Sequence, residues 1–132
     1  MRVRVGGDPV LKDLIVFQKA YDLLKWIHQL TAKYPKSEKF VLAARTENGA
    51  LDFLEAVIEA NENRDKAAAL ARANLALEKS RLWLRLAFDL RYVSLKQYET
   101  GSRMNDELGR LLGGLRKRFG GAAPDVAAPP KG

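Results

Sequence analysis

An all-α fold, an antiparallel up-down four-helix bundle, is the architecture this sequence predicts. Three observations point to it. Apolar residues recur at i, i+3, i+4 spacing in four successive stretches of the 132-residue chain. The breaks between those stretches are short and carry proline or cap-forming residues. The length suits one domain that buries a core unaided, and with no Cys the chain has neither disulfides nor thiolate metal sites.

Residues 1–12, with Gly6, Gly7 and Pro9, read as a flexible arm. The bundle domain is expected over residues 13–119. Asp13 is a candidate cap for a first helix reaching Tyr34. Its stripe is Leu14, Phe17, Tyr21, Leu24 and His28, widened by a second row of Leu23, Ile27, Leu30 and Tyr34. Pro35 and Lys36 break it, and Ser37 is a candidate N-cap for a second helix running to Glu62. The core side of that helix is Ala43, Ala50, Leu54, Val57 and Ile58, with Gly49 among the small residues that let a neighbour come close. Asn61 to Asp65 is a polar break. The third helix runs from there to about Tyr92. Ser94 and Gln97 fit a capping box that starts the fourth. Its apolar face is Met104, Leu108, Leu111, Leu112, Leu115 and Phe119. Gly113 and Gly114 cost about 1 kcal/mol each against Ala inside a helix, so they imply close packing or an early helix end. Residues 120–132 lack periodicity and read as a disordered tail.

The third helix has two apolar sides. At about 100° per residue, Leu70, Leu77, Leu84 and Phe88 share one stripe. Leu75, Leu82 and Leu86 lie opposite, with Trp83 and Leu90 beside them. One stripe suffices for the surface helix of a monomer. The second, Leu75, Leu82, Trp83, Leu86 and Leu90, is therefore the candidate oligomer interface.

Charge is distributed unevenly. Residues 1–63 hold equal numbers of basic and acidic residues, so the net +7 belongs entirely to residues 64–132. Such a concentration suits a polyanion, nucleic acid above all, although a soluble helical protein with surplus Lys and Arg fits the same count. The candidate contacts are Arg72, Lys79, Arg81, Arg85 and Arg91 in the third helix. In the fourth they are Arg103, Arg110, Arg116, Lys117 and Arg118. Arg81 and Arg85 lie between the apolar stripes, where partial enclosure suggests nucleic-acid or partner contact, yet Glu78 and Asp89 stand at helical spacing for structural pairing. Arg103, Arg110 and Lys117 form a basic row. Glu99 and Asp106 precede Arg103 and Arg110 by four residues, the favourable orientation for ion pairs. Basic residues 116–118 also suit a helix C-terminus.

Other chemistries find little support. Asp52, Glu55, Glu59 and Glu62 line one side of the second helix, but a di-iron bundle also needs Glu-x-x-His pairs, and Lys25 stands three before His28. A solvated acidic face accounts for them. His28 reads as a core or interface residue, because no nucleophile motif surrounds it. Gly113-Gly114 is not followed by the Lys-Ser/Thr of a phosphate loop. No catalytic residue, metal site or cofactor is expected. Neither a membrane-spanning run nor a secretory segment is visible, so a cytoplasmic location is expected. The chain has no aromatic-rich stacking surface of the kind single-strand binders use.

The same residues carry a family resemblance. Asp13-Leu-Ile-Val-Phe-Gln-Lys-Ala-Tyr21, then Leu30-Thr31 and Tyr34-Pro35, resembles the four-helix-bundle proteins that include those encoded in 23S rRNA intervening sequences. Leu77-Glu-Lys-Ser-Arg-Leu-Trp-Leu-Arg-Leu-Ala87, Ser94-Leu-Lys-Gln-Tyr-Glu99 and Asp106-Glu-Leu-Gly-Arg-Leu-Leu-Gly-Gly114 resemble the accessory variability determinant (Avd) of diversity-generating retroelements. The resemblance covers roughly residues 11–118. Members often carry Trp after the Gly-Gly pair, where this chain has Leu115. What the resemblance implies is a barrel-like homopentamer with a basic surface. Such a protein binds RNA or DNA, associates with the retroelement reverse transcriptase and supports mutagenic cDNA synthesis without being the catalyst. Arg81 and Arg85 match the family's Arg-x-x-x-Arg pattern, and Arg110 its Gly-Arg motif. An intervening-sequence-type bundle without a polymerase partner and a purely structural oligomer are the alternatives.

Overall fold

The computed structural model describes residues 11–62 and 65–120. Four helices make up the described chain: α1 (Leu11–Thr31), α2 (Leu42–Glu62), α3 (Lys66–Asp89) and α4 (Leu95–Leu115). No strand occurs among the described residues. Each helix packs on two others, α1 and α3 both lying against α2 and α4, which closes a four-helix bundle. The expected arm and tail fall outside the described residues apart from their inner ends.

Several boundaries differ from expectation. Asp13 lies inside α1 rather than capping it. The helix stops at Thr31 and not at Tyr34: the chain tightens into i→i−3 bonds from Lys33 to Leu30 and from Tyr34 to Thr31 ahead of Pro35, before which the helical region is disfavoured. Ser37 does not cap α2. It sits in a single 3-10 turn, Lys36–Glu38, and α2 begins at Leu42, whose N–H donates to Glu38 Oε1 at 3.3 Å. Asp65 does cap α3, accepting from the Ala68 N–H at 3.4 Å, and Lys66 donates to the Ala60 carbonyl at the end of α2. The Ser94–Gln97 capping box at α4 is complete in both directions. At its far end α4 passes into a π-helical turn, Arg116–Gly120.

The core confirms α3 and α4 and corrects α1. Leu70, Leu77 and Leu84 of α3 and Leu108, Leu112 and Leu115 of α4 are buried. In α1 the buried row is Val16, Ala20, Leu23, Ile27 and Leu30, and buried Tyr34 continues it just past the helix end. Tyr21 and His28, placed on the inner stripe by their spacing, are exposed, and Phe17 and Leu24 are half-buried. The side chain of Leu14 lies outside the described residues. The buried row runs unbroken at i, i+3 or i+4 for the length of the helix, which is why it wins. In α2, Ala43, Ala50 and Val57 are buried as expected and Leu54 and Ile58 only partly. Phe53, which spacing did not single out, is the largest fully buried side chain.

Small residues set the spacing of the bundle. Ala50, Ala56, Ala69, Ala73, Ala76 and Ser80 are buried in α2 and α3, the pair in most extensive contact. Gly101 is a close-approach glycine in α4. A Cβ there would stand 2.6 Å from Leu84 Cδ2 and 2.9 Å from the Trp26 ring. Gly113 and Gly114 are not. Both are exposed, and an added Cβ would meet nothing within 4 Å. Neither mediates packing among the described residues, and the α-helix ends at Leu115, one residue past Gly114 and short of the expected Phe119.

Candidate nucleic-acid interface

The outer side of α3 is left uncovered by the bundle. Leu75, Leu82, Leu86 and Leu90 are 55%, 57%, 38% and 45% exposed. The buried stripe opposite them explains why: the bundle needs only one side of this helix. These four large apolar side chains lie along one line rather than scattered singly over the surface. Trp83 does not belong with them. It is half-buried against the cluster of Leu30, Tyr34, Leu42, Leu84 and Val93, on the side where α3 meets α2.

The basic candidates divide into tied and free groups. Arg81 is 34% exposed and ties α3 to α4: Nη1 bonds Asp106 Oδ1 at 2.6 Å, and Nη2 donates to the Asn105 carbonyl at 3.4 Å. Gly109 makes room for it, since a Cβ there would lie 2.9 Å from Nη2. Arg85 is exposed rather than enclosed and pairs with Asp89 at 3.2 Å on its own helix. Arg72 pairs with Glu59 across the α2–α3 seam.

The expected ladder along α4 does not form. Asp106 is taken by Arg81, so Arg110 loses that partner, and Arg103 contacts the Thr100 hydroxyl instead of Glu99. A cross-helix bond to a half-buried guanidinium outcompetes an exposed i, i+4 pair, which contributes only about 0.3–0.5 kcal/mol. Lys79, Arg91, Arg103, Arg110, Arg116 and Lys117 have no ion pair among the described residues. Arg103 and Arg110 edge a shallow groove with Thr100, Met104, Asp106 and Glu107. At the π-helical turn the Arg118 guanidinium lies 5.1 Å from the centroid of the Phe119 ring.

Arg91 was not distinguished by sequence from its neighbours, and its backbone sets it apart. It has φ 67°, the left-handed region usually left to glycine. The Arg91 N–H bonds the Phe88 carbonyl at 2.9 Å and the Tyr92 N–H bonds the Ala87 carbonyl at 2.8 Å. These are the two bonds of a Schellman motif ending α3. An exposed cation is thus held at a fixed place on the helix end.

Asp52, Glu55, Glu59 and Glu62 are all exposed, and Asp52, Glu55 and Glu59 share a small groove with Arg72 and Lys79. Among the described residues no group of three or more His, Asp or Glu side chains stands where it would hold a metal ion. His28 is exposed and pairs with Glu47 at 3.0 Å. No described helix is long and apolar enough to cross a membrane.

Comparison with known proteins agrees with this architecture. The sequence matches the model of the bAvd-like family over residues 14–119. A solved structure of a protein of unknown function from the S23 ribosomal protein family of Bacteroides thetaiotaomicron superposes with a TM-score of 0.70 at 24% identity. The superposition covers 80% of this chain and 98% of that one. That likeness is one of fold. No curated protein matches the sequence.

Proposed function

The chain belongs to the bAvd-like family, and on that premise we propose that it is a non-catalytic, nucleic-acid-binding accessory subunit of a diversity-generating retroelement. It binds template RNA or cDNA through its basic surface and associates with the reverse transcriptase in the cytoplasm. Copies of the chain assemble through the outer stripe of α3 into a closed barrel-like ring, a pentamer.

The observation that supports this most is that the bundle leaves both that stripe and a set of cations without partners among the described residues. Lys79 lies among the outer leucines by helical spacing, and Arg103 and Arg110 share a row on α4, with Lys117 exposed in the π-helical turn that follows. Cyclic assembly would repeat a net +7 subunit around an axis. Phosphate contacts then supply most of the affinity, with little base readout.

Co-expression with a diversity-generating retroelement's reverse transcriptase and template RNA tests the proposal. A tagged chain should retain both the polymerase and its RNA through purification. Retention of ribosomal RNA with no polymerase would replace the proposal with an intervening-sequence-type role.

A further inference from the structure

The α1–α2 end of the bundle carries a second concentration of charge, hidden in the neutral total of the first half of the chain. Lys33, Lys36, Lys39 and Arg45 share this short stretch with one carboxylate, Glu38. Glu38 is engaged internally, accepting from the Tyr92 hydroxyl at 2.8 Å and from the Leu42 N–H. None of the four cations has an ion pair among the described residues.

Phe40 stands in the middle of them. It is 84% exposed, more than any other large apolar side chain described, and Lys39 Nζ lies 5.5 Å from its ring centroid. The ring borders a groove of about 730 Å³ lined also by Tyr34, Lys36, Glu47 and Asn48. Glu47 Oε2 accepts from the Thr31 hydroxyl at 2.7 Å and contacts His28 Nδ1 at 3.0 Å. Its other oxygen, Oε1, takes no hydrogen bond among the described residues.

The chain has no broad aromatic surface, but one exposed ring with Lys36 and Lys39 beside its groove supplies a single stacking step of the kind with which proteins hold unpaired bases. Free acceptors in the adjoining groove suit the amino and imino edges of an unstacked base. We infer that this end of the bundle is a stacking site for an unpaired nucleotide of a single-stranded polynucleotide. The base lies on Phe40, its phosphates meet Lys36 and Lys39, and Glu47 with Asn48 faces the base edge. Charge complementarity favours a polynucleotide over a protein partner, which would have to neutralise four cations. The inference rests on the nucleic-acid binding proposed above and adds a preference for unpaired strands.

The test measures fluorescence anisotropy of a short labelled oligouridylate, and of an RNA duplex of equal length, with the full chain at low salt. Phe40→Ala should weaken oligouridylate binding about tenfold, the scale of one lost base–aromatic stack, and leave duplex binding unchanged. Phe40→Trp should restore it. If Phe40→Ala binds both probes as the unaltered chain does, the stacking site is refuted while nucleic-acid binding stands. If the unaltered chain binds neither probe, the proposed function fails first. Loss of assembly mass in Phe40→Ala by light scattering would show instead that a second copy of the chain covers this end.

Discussion

Gly101 and Gly113 share a helix and a residue type, yet their surroundings predict opposite substitutions. Ala at 101 places a methyl group against the buried Leu84 and the Trp26 ring. Overpacking of this kind costs about 1–3 kcal/mol against a gain of about 1 kcal/mol in helix propensity. Gly101→Ala should therefore lower the urea midpoint of unfolding. Gly113→Ala meets open space and should raise it by the full propensity term.

Tyr34 adds a pH dependence. Its hydroxyl is buried with no well-formed hydrogen bond, and burial, opposed in smaller part by the Thr46 hydroxyl nearby, pushes its pKa up to about 12 from 10.0. The folded state thus favours the neutral phenol. Its contribution is fully present below pH 10 and is lost as pH rises through about 12. Stability measured by urea unfolding should fall between pH 10 and 12, and Tyr34→Phe should flatten that fall at little cost near neutrality. The Tyr92 pKa is raised too, chiefly by its bond to Glu38, and contributes in the same direction.

The outer stripe of α3 carries the expectation that belongs to whole elements. In the proposed assembly Leu82→Glu with Leu86→Glu should leave the helix content unchanged, because the buried stripe is untouched. It should reduce the particle to a monomer by size-exclusion light scattering. An unchanged particle size would remove this stripe from the interface.

Elements were also where sequence was most legible. The two-sided pattern of α3, the Ser94–Gln97 box and the apolar face of α4 all follow from local spacing, and the fold reproduces them. In α1 two apolar rows competed, and local spacing does not say which one the neighbouring helices cover. Arg81 was legible as a half-enclosed cation. Its bond to Asp106 was not, because that pairing spans two helices and overrides a local partner. Nothing in the residues around Phe40 distinguishes an exposed ring from a core one until the 3-10 turn is seen.

For the molecule as a whole, the bundle leaves two kinds of surface unsatisfied: an apolar line on α3 and cations whose local acids are engaged elsewhere. Arg81 belongs to the frame and not to that surface. Arg103, Arg110 and Lys117 are exposed, make no ion pair among the described residues and lie away from the core. The most direct measurement is therefore RNA affinity across a salt series for the unaltered chain and for Arg103→Glu/Arg110→Glu/Lys117→Glu, both shown folded by circular dichroism. Log affinity should fall linearly with log salt for the unaltered chain. The triple variant should bind far more weakly at low salt and with a shallower slope. A variant that binds RNA as tightly as the unaltered chain, or an unaltered chain that does not bind at low salt, would contradict a basic nucleic-acid surface on α4 and the turn that follows it.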